Sequence, residues 1–293
     1  MPAKPFENSK KTAVILRLFE SRWNGVQLES PMVNLQEVKE AIEALGNEEL
    51  GKALSSRNPA NFFKDFIRRA ESANKNWPKQ LKDLRWTAEQ RTGENNCFEF
   101  VRYSADQNEP FEESFGPSAT TPVHRMQSIT IPKASRDLGR KDEQWLIQVA
   151  VQQGLIPTHL ALQSSHKIDE IVHLQSSVKL RKTEIDALFL AQMVRDGGYR
   201  SVLITCEAKH GESILPDQIV SQANAASASK KSDWIIPMAI KVIRDSSRRV
   251  ARAGGQVYVC EFEGFEAGKF IGREDLKIVS DCLYEFQPPI PGV

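Results

Sequence analysis

Residues 183–190 read TEIDALFL and residues 202–210 read VLITCEAKH, two apolar strand patterns carrying charge where a buried strand should have none. Alternate residues of a strand point to opposite faces. Glu207 and Lys209 therefore share one face, Cys206 and Ala208 the other, and Glu184 lies on the same face as Asp186. The turn signal Asp196-Gly197-Gly198 joins the two strands as a hairpin and would bring Asp186, Glu207 and Lys209 together on one side of a sheet. Two carboxylates at one point can hold Mg²⁺, which keeps several waters and favours phosphate oxygens as further ligands. Such a metal lowers the pKa of a bound water and stabilises charge on a phosphoryl group. A neighbouring ammonium, Lys209, can orient that water or neutralise the transition state. Phosphodiester hydrolysis uses all three groups. The alternative for the same residues is a solvated strand exit at Glu207 and Lys209, with Asp186 a surface acid near a turn.

The string that runs from Asp186 to Glu207-Ala208-Lys209, with its acids 21 residues apart, resembles the PD-(D/E)xK nuclease superfamily, which includes most type II restriction endonucleases. The resemblance covers about residues 140–265 and extends to a helix after the E-x-K strand that carries Gln218 and Gln222 one turn apart. Ile185 stands where the family pattern has proline, a departure shared by many members. The resemblance implies a Mg²⁺-dependent endonuclease of restriction or defence acting on double-stranded DNA. Asp186 and Glu207 would be the metal ligands and Lys209 would sit beside the nucleophilic water. Cutting both strands takes two active sites, which implies a homodimer. A further acid often helps position the metal, and Glu143, Glu170 and Glu184 are the candidates, with Gln218 and Gln222 as accessory positions. His210 points to the face opposite Lys209 and reads as structural or exposed. Two other readings stay open: a non-catalytic DNA-binding regulator on a nuclease-like fold, and a structure-specific repair or resolving nuclease.

The elements that must position these residues follow from periodicity. Residues 142–153 form a helix with Trp145, Leu146, Val149 and Ala150 on one side. Strand patterns cover 168–180, 183–193, 200–208, 234–243 and 256–263, with a helix over 217–229. The order predicts an α/β domain over 141–293, a mixed β-sheet flanked by helices as in restriction endonucleases. Residues 109–140 are polar and rich in Pro, Ser and Gly, and read as a linker.

Residues 1–108 read as a mainly helical, winged-helix-like DNA-binding domain: three helices, then a hairpin of strands 85–91 and 97–103 around TGENN. Ser9 caps the first helix, whose apolar positions are Ala13, Leu16 and Phe19 with Val14 and Ile15 beside them. Asn34 and Glu37 form a capping box ahead of Leu35, Val38, Ile42 and Leu45, and Gly46 closes that helix. Asn58-Pro59 opens the third, which turns Phe62, Phe63, Phe66 and Ile67 inward and leaves Lys64, Arg68 and Arg69 outside. Residues 51–91 hold 10 Lys+Arg against 4 Asp+Glu, whereas residues 1–50 hold 6 against 8. That concentration assigns Lys64, Arg68, Arg69, Arg85 and Arg91 to phosphate contacts, a solvated helix face being the plain alternative. A second basic cluster, Arg244, Arg248, Arg249 and Arg252, precedes the last predicted strand.

Composition sets the bounds: 293 residues, 40% hydrophobic, 26% charged, and a mean hydropathy of -0.42 fit two globular domains and exclude a fibrous or wholly disordered chain. No apolar run approaches the ~20 residues of a membrane span, and MPAKPFENSKK has no apolar signal-peptide core, so a cytoplasmic protein is expected. Cys97, Cys206, Cys260 and Cys282 make no C-x-x-C pair and read as buried thiols. The five histidines show no metal-ligand spacing.

Overall fold

The computed structural model describes residues 10–46, 54–91, 93, 95–180, 183–243 and 256–293, and the chain divides into two compact units between Glu113 and Ser114. Ser9 and the Arg244, Arg248, Arg249 and Arg252 cluster lie outside the described residues.

The first unit is built on an aromatic core. Helix α1 (Lys10–Glu20) buries Val14, Ile15, Leu18 and Phe19, a stripe that takes in Leu18 and leaves Ala13 and Leu16 only half-buried. A short strand β1 (Met32–Asn34) leads into α2 (Leu35–Gly46), and the predicted capping box is complete. The Asn34 N–H donates to Glu37 Oε2 at 2.7 Å and the Glu37 N–H to Asn34 Oδ1 at 2.9 Å. Helix α3 (Ala60–Ile67) buries all four of its predicted inward residues. Two further helices, α4 (Ala70–Asn76) and α5 (Lys79–Asp83), follow before the hairpin β2 (Trp86–Gln90) and β3 (Asn96–Arg102). Strand β3 is central in the order β1-β3-β2. Phe63 stacks on Phe98 at 4.5 Å, and Phe111 meets Trp77 edge-on at 4.9 Å. Asn74 fastens Phe111 further, donating to its carbonyl at 2.7 Å and accepting from its N–H at 2.8 Å.

That fastening corrects the linker expected over 109–140. Residues 109–113 belong to the first unit, and the remainder enters the second unit's sheet as β4 (Val123–Gln127), parallel to the C-terminal strand. The segment reads as a linker because β4 is a five-residue edge strand with little buried surface of its own. Its partner lies 160 residues away in sequence.

The second unit continues with α6 (Lys133–Asp137), α7 (Glu143–Gln152), α8 (Leu155–Leu162), β5 (Ile168–Leu180), β6 (Thr183–Arg195), β7 (Gly198–His210), α9 (Pro216–Ser227), β8 (Trp234–Ile243), β9 (Gln256–Phe262), β10 (Phe265–Glu266) and β11 (Ile278–Gln287). It is a mixed α/β unit whose sheet runs β4-β11-β9-β8-β7-β6-β5, with β10 pairing to β8. Strands β7 and β8 are parallel, with α9 as their crossover. One sheet face packs a large core with α7 and α8, including Trp145, Leu146, Leu155, Phe189, Cys206, Ala208 and Ile240. On the opposite face Ala223 and Ala226 of α9 meet Leu188 and Leu203. All four cysteines are buried free thiols, as expected. Among the described residues no helix is long and apolar enough to cross a membrane.

Candidate active site

Strands β6 and β7 are joined by a two-residue turn, Asp196 and Gly197, with φ of 52° and 76°. Positive φ at both central positions is the type I′ geometry that suits the right-handed twist of a hairpin. The register runs from Arg195 opposite Gly198 to Ala187 opposite Cys206. One step beyond that ladder, the Ala208 N–H donates to Asp186 Oδ2 at 2.9 Å, which ties the acid of β6 to the E-x-K segment of β7. A two-residue turn thus fixes at one strand end two acids that lie 21 residues apart.

The groups meet as the alternation predicts. Lys209 Nζ lies 2.5 Å from Glu207 Oε1 and 3.7 Å from Glu143 Oε1. The Gln222 side chain, from α9, donates to Glu207 Oε2. Glu207 is 2% exposed and Lys209 5%, which removes the alternative of a solvated strand exit. Burying these charges costs several kcal/mol unless they are paired and hydrogen-bonded, and here they are both. Burial, then the neighbouring Glu207 charge, pushes the Asp186 carboxyl up to about 7. For Lys209, burial works to lower the pKa, but the charge and hydrogen bond of Glu207 prevail and hold its ammonium above the usual lysine value.

The candidate additional acids separate clearly. Glu143, at the start of α7, reaches Lys209 because Asp142 caps that helix, accepting from the Trp145 N–H at 2.8 Å. Glu184 is exposed, two residues before Asp186 on β6. Glu170 is exposed on the edge strand β5 opposite Gln192, six residues along β6 from Asp186, or roughly 20 Å at ~3.3 Å per residue. Gln218 precedes Gln222 by one turn of α9, and its buried Oε1 has no hydrogen-bond partner. His210 is tied to the C-terminal tail, with Nε2 2.7 Å from the Gly292 carbonyl oxygen, in keeping with its structural reading.

The site's donor set suits a hard cation with water ligands. Among the described residues no three His, Cys, Asp or Glu side chains form a ready-made metal cage. Asp186 and Glu207 instead present two close, desolvated carboxylates, and their mutual repulsion is what a divalent cation would relieve. Two protein oxygens with waters and phosphate completing the shell is how Mg²⁺ is commonly bound.

The predicted phosphate contacts of the first unit fall into two groups. Arg68 and Arg69 are exposed at the junction of α3 and α4, with Arg68 Nε 3.3 Å from Asp65, and Lys64 is half-buried on α3. Arg85 and Arg91 are held inside their own unit. Arg85 donates to the Ser104 and Gln107 carbonyls and stacks over Tyr103, and Arg91 bridges Glu89 at 2.9 Å and Glu99 at 2.7 Å. Charge counting could not separate these two from the exposed pair, because apart from Glu89 their partners lie in the opposing strand and the following loop.

Compared with protein-family models, curated proteins and solved structures, the chain matches none.

Proposed function

We propose that the protein is a Mg²⁺-dependent endonuclease acting on double-stranded DNA. The observation that carries this reading is the buried convergence of Asp186, Glu207 and Lys209 at the end of the β6–β7 hairpin. The hairpin followed by the β7-α9-β8 crossover also favours a restriction-endonuclease-like core. In this reading Asp186 and Glu207 would hold a Mg²⁺, which would lower the pKa of a bound water and offset charge on the scissile phosphate. Gln222 and Lys209 keep the Glu207 carboxylate in one orientation. Lys209, itself oriented by Glu143, would orient the attacking water by a hydrogen bond or stabilise the charge on the phosphoryl oxygen. The first unit is read as a winged-helix module: α1, β1, α2 and α3 precede a hairpin whose β3 pairs with β1, which supports this, while α4 and α5 between α3 and the hairpin depart from the expected three-helix order, and Arg68 and Arg69 would meet phosphates. A restriction or defence role and a homodimer follow from the same reading.

The test is plasmid nicking with Mg²⁺ against EDTA, run with Asp186→Ala in parallel. Mg²⁺-dependent cleavage by the wild type that is lost in the variant is the expected result. A folded wild-type protein that binds but never cuts DNA would favour the regulator instead.

A further inference from the structure

Strand β8 reads WIIPMAIKVI, apolar but for one charge, and that charge falls level with the candidate active site. In the parallel β7–β8 register, Lys241 is the partner of Lys209, and Ala239 of Glu207. Adjacent strands lie about 4.8 Å apart, so the two lysines arise from neighbouring backbone positions. The flanking residues settle the face. Ile240 and Val242 enter the core beneath α7 and α8 with Cys206 and Ala208, whereas Ala239 packs with Ile219 of α9. Lys241 therefore projects to the α9 side, the side of Glu207 and its partner Gln222. Only 8% of it is exposed. It is the one charged residue of a strand that otherwise buries Ile, Val, Met and Ala, and it stands beside Lys209 on the face that carries Glu207. Across the sheet end the order is acid, acid with lysine, then lysine, in β6, β7 and β8.

We infer that Lys241 is a phosphate-binding cation of this site, contacting a backbone phosphodiester oxygen of the DNA while Lys209 serves the attacking water. The inference rests on the nuclease reading of Asp186, Glu207 and Lys209. Lys241 lies on the side of β7 away from Asp186, so a DNA strand laid across the sheet end would meet Asp186 in β6, Glu207 and Lys209 in β7, and Lys241 in β8.

The experiment compares wild type, Lys241→Met and Lys241→Arg in the full-length chain. Binding to a labelled DNA duplex is measured with Ca²⁺ in place of Mg²⁺ across a salt series, and cleavage kinetics are measured with Mg²⁺. Methionine fits a buried strand position, and circular dichroism checks that each variant folds. Loss of one phosphate contact should flatten the slope of log K against log salt by about 0.9. It should also raise KM by about tenfold or more, with kcat falling far less, while Lys241→Arg keeps the wild-type slope. A packing role would change neither slope nor KM in a folded Lys241→Met protein, and that result overturns the inference while leaving the nuclease reading intact. If Lys241→Met fails to fold, Lys241→Gln takes its place with the same readouts. A wild type that cleaves nothing with Mg²⁺ overturns the nuclease reading and this inference with it.

Discussion

Asp186 offers the sharpest test, because its environment penalises the charge that a metal would need. Burial and the Glu207 carboxylate raise it from an ordinary 3.8 to about 7. The protonated form is thus favoured in the folded state. Its stabilising contribution is fully present below pH 3.8 and is lost as pH rises through about 7. At about 1.4 kcal/mol for each tenfold change in proton affinity, the loss is on the order of 4 kcal/mol as an upper bound. Asp186→Asn keeps the side-chain oxygen that accepts from the Ala208 N–H but cannot ionise. Urea unfolding of full-length protein in EDTA, stepped from pH 4 to pH 8 and read for the second unit, should show the stability difference between variant and wild type growing in the variant's favour, by about 2 to 4 kcal/mol over that range. Adding Mg²⁺ at pH 8 should restore stability to the wild type alone, because only it retains both carboxylates. Parallel pH profiles for the two proteins would refute the desolvated-pair argument, and equal Mg²⁺ effects would refute Asp186 as a ligand.

Glu207→Ala should abolish cleavage and also cost about 3 to 5 kcal/mol of stability, since it leaves Lys209 buried beside a missing partner; chemical denaturation with and without Lys209→Met measures the coupling. His159, buried between Tyr284 and Ser280, is held down to about 4 by burial, so its contribution is present above pH 6.5 and lost as pH falls toward 4. A wild-type loss of up to about 3 kcal/mol in that window, absent in His159→Gln, is expected from unfolding at pH steps. In the first unit, Arg68→Ala/Arg69→Ala should weaken DNA binding and flatten its salt dependence in a gel-shift series, whereas Arg85→Ala should lower the melting temperature of the unit, since it removes bonds to the Ser104 and Gln107 carbonyls. A fragment of residues 114–293 should fold by circular dichroism and bind DNA more weakly than the full chain, with the fragment's salt slope as the check.

Local pattern made much of this molecule legible. Strand β5 falls on the predicted 168–180 and β8 on 234–243, because β8 is a long apolar run and β5 a recurrence of Ile, Val and Leu among polar residues with a break before Thr183. The Asn34–Glu37 capping box and the shared face of Glu207 and Lys209 needed only spacing. Tertiary structure decided what spacing cannot reach. Strand β4 is short and forms on β11, 160 residues away, and β11 is irregular in pattern and rests on β9 as well, so neither announces itself in the sequence. Strand β1 needs β3 in the same way. Glu143, Glu170 and Glu184 are indistinguishable as letters, and only the packing of α7 against the sheet brings Glu143 to Lys209. The same holds for burial: alternation placed Glu207 and Lys209 on one face, but the cover of α9 and the bond from Gln222 determine that the face is desolvated. Side-chain direction is a property of the strand, whereas solvent exclusion depends on what folds over it from elsewhere in the chain.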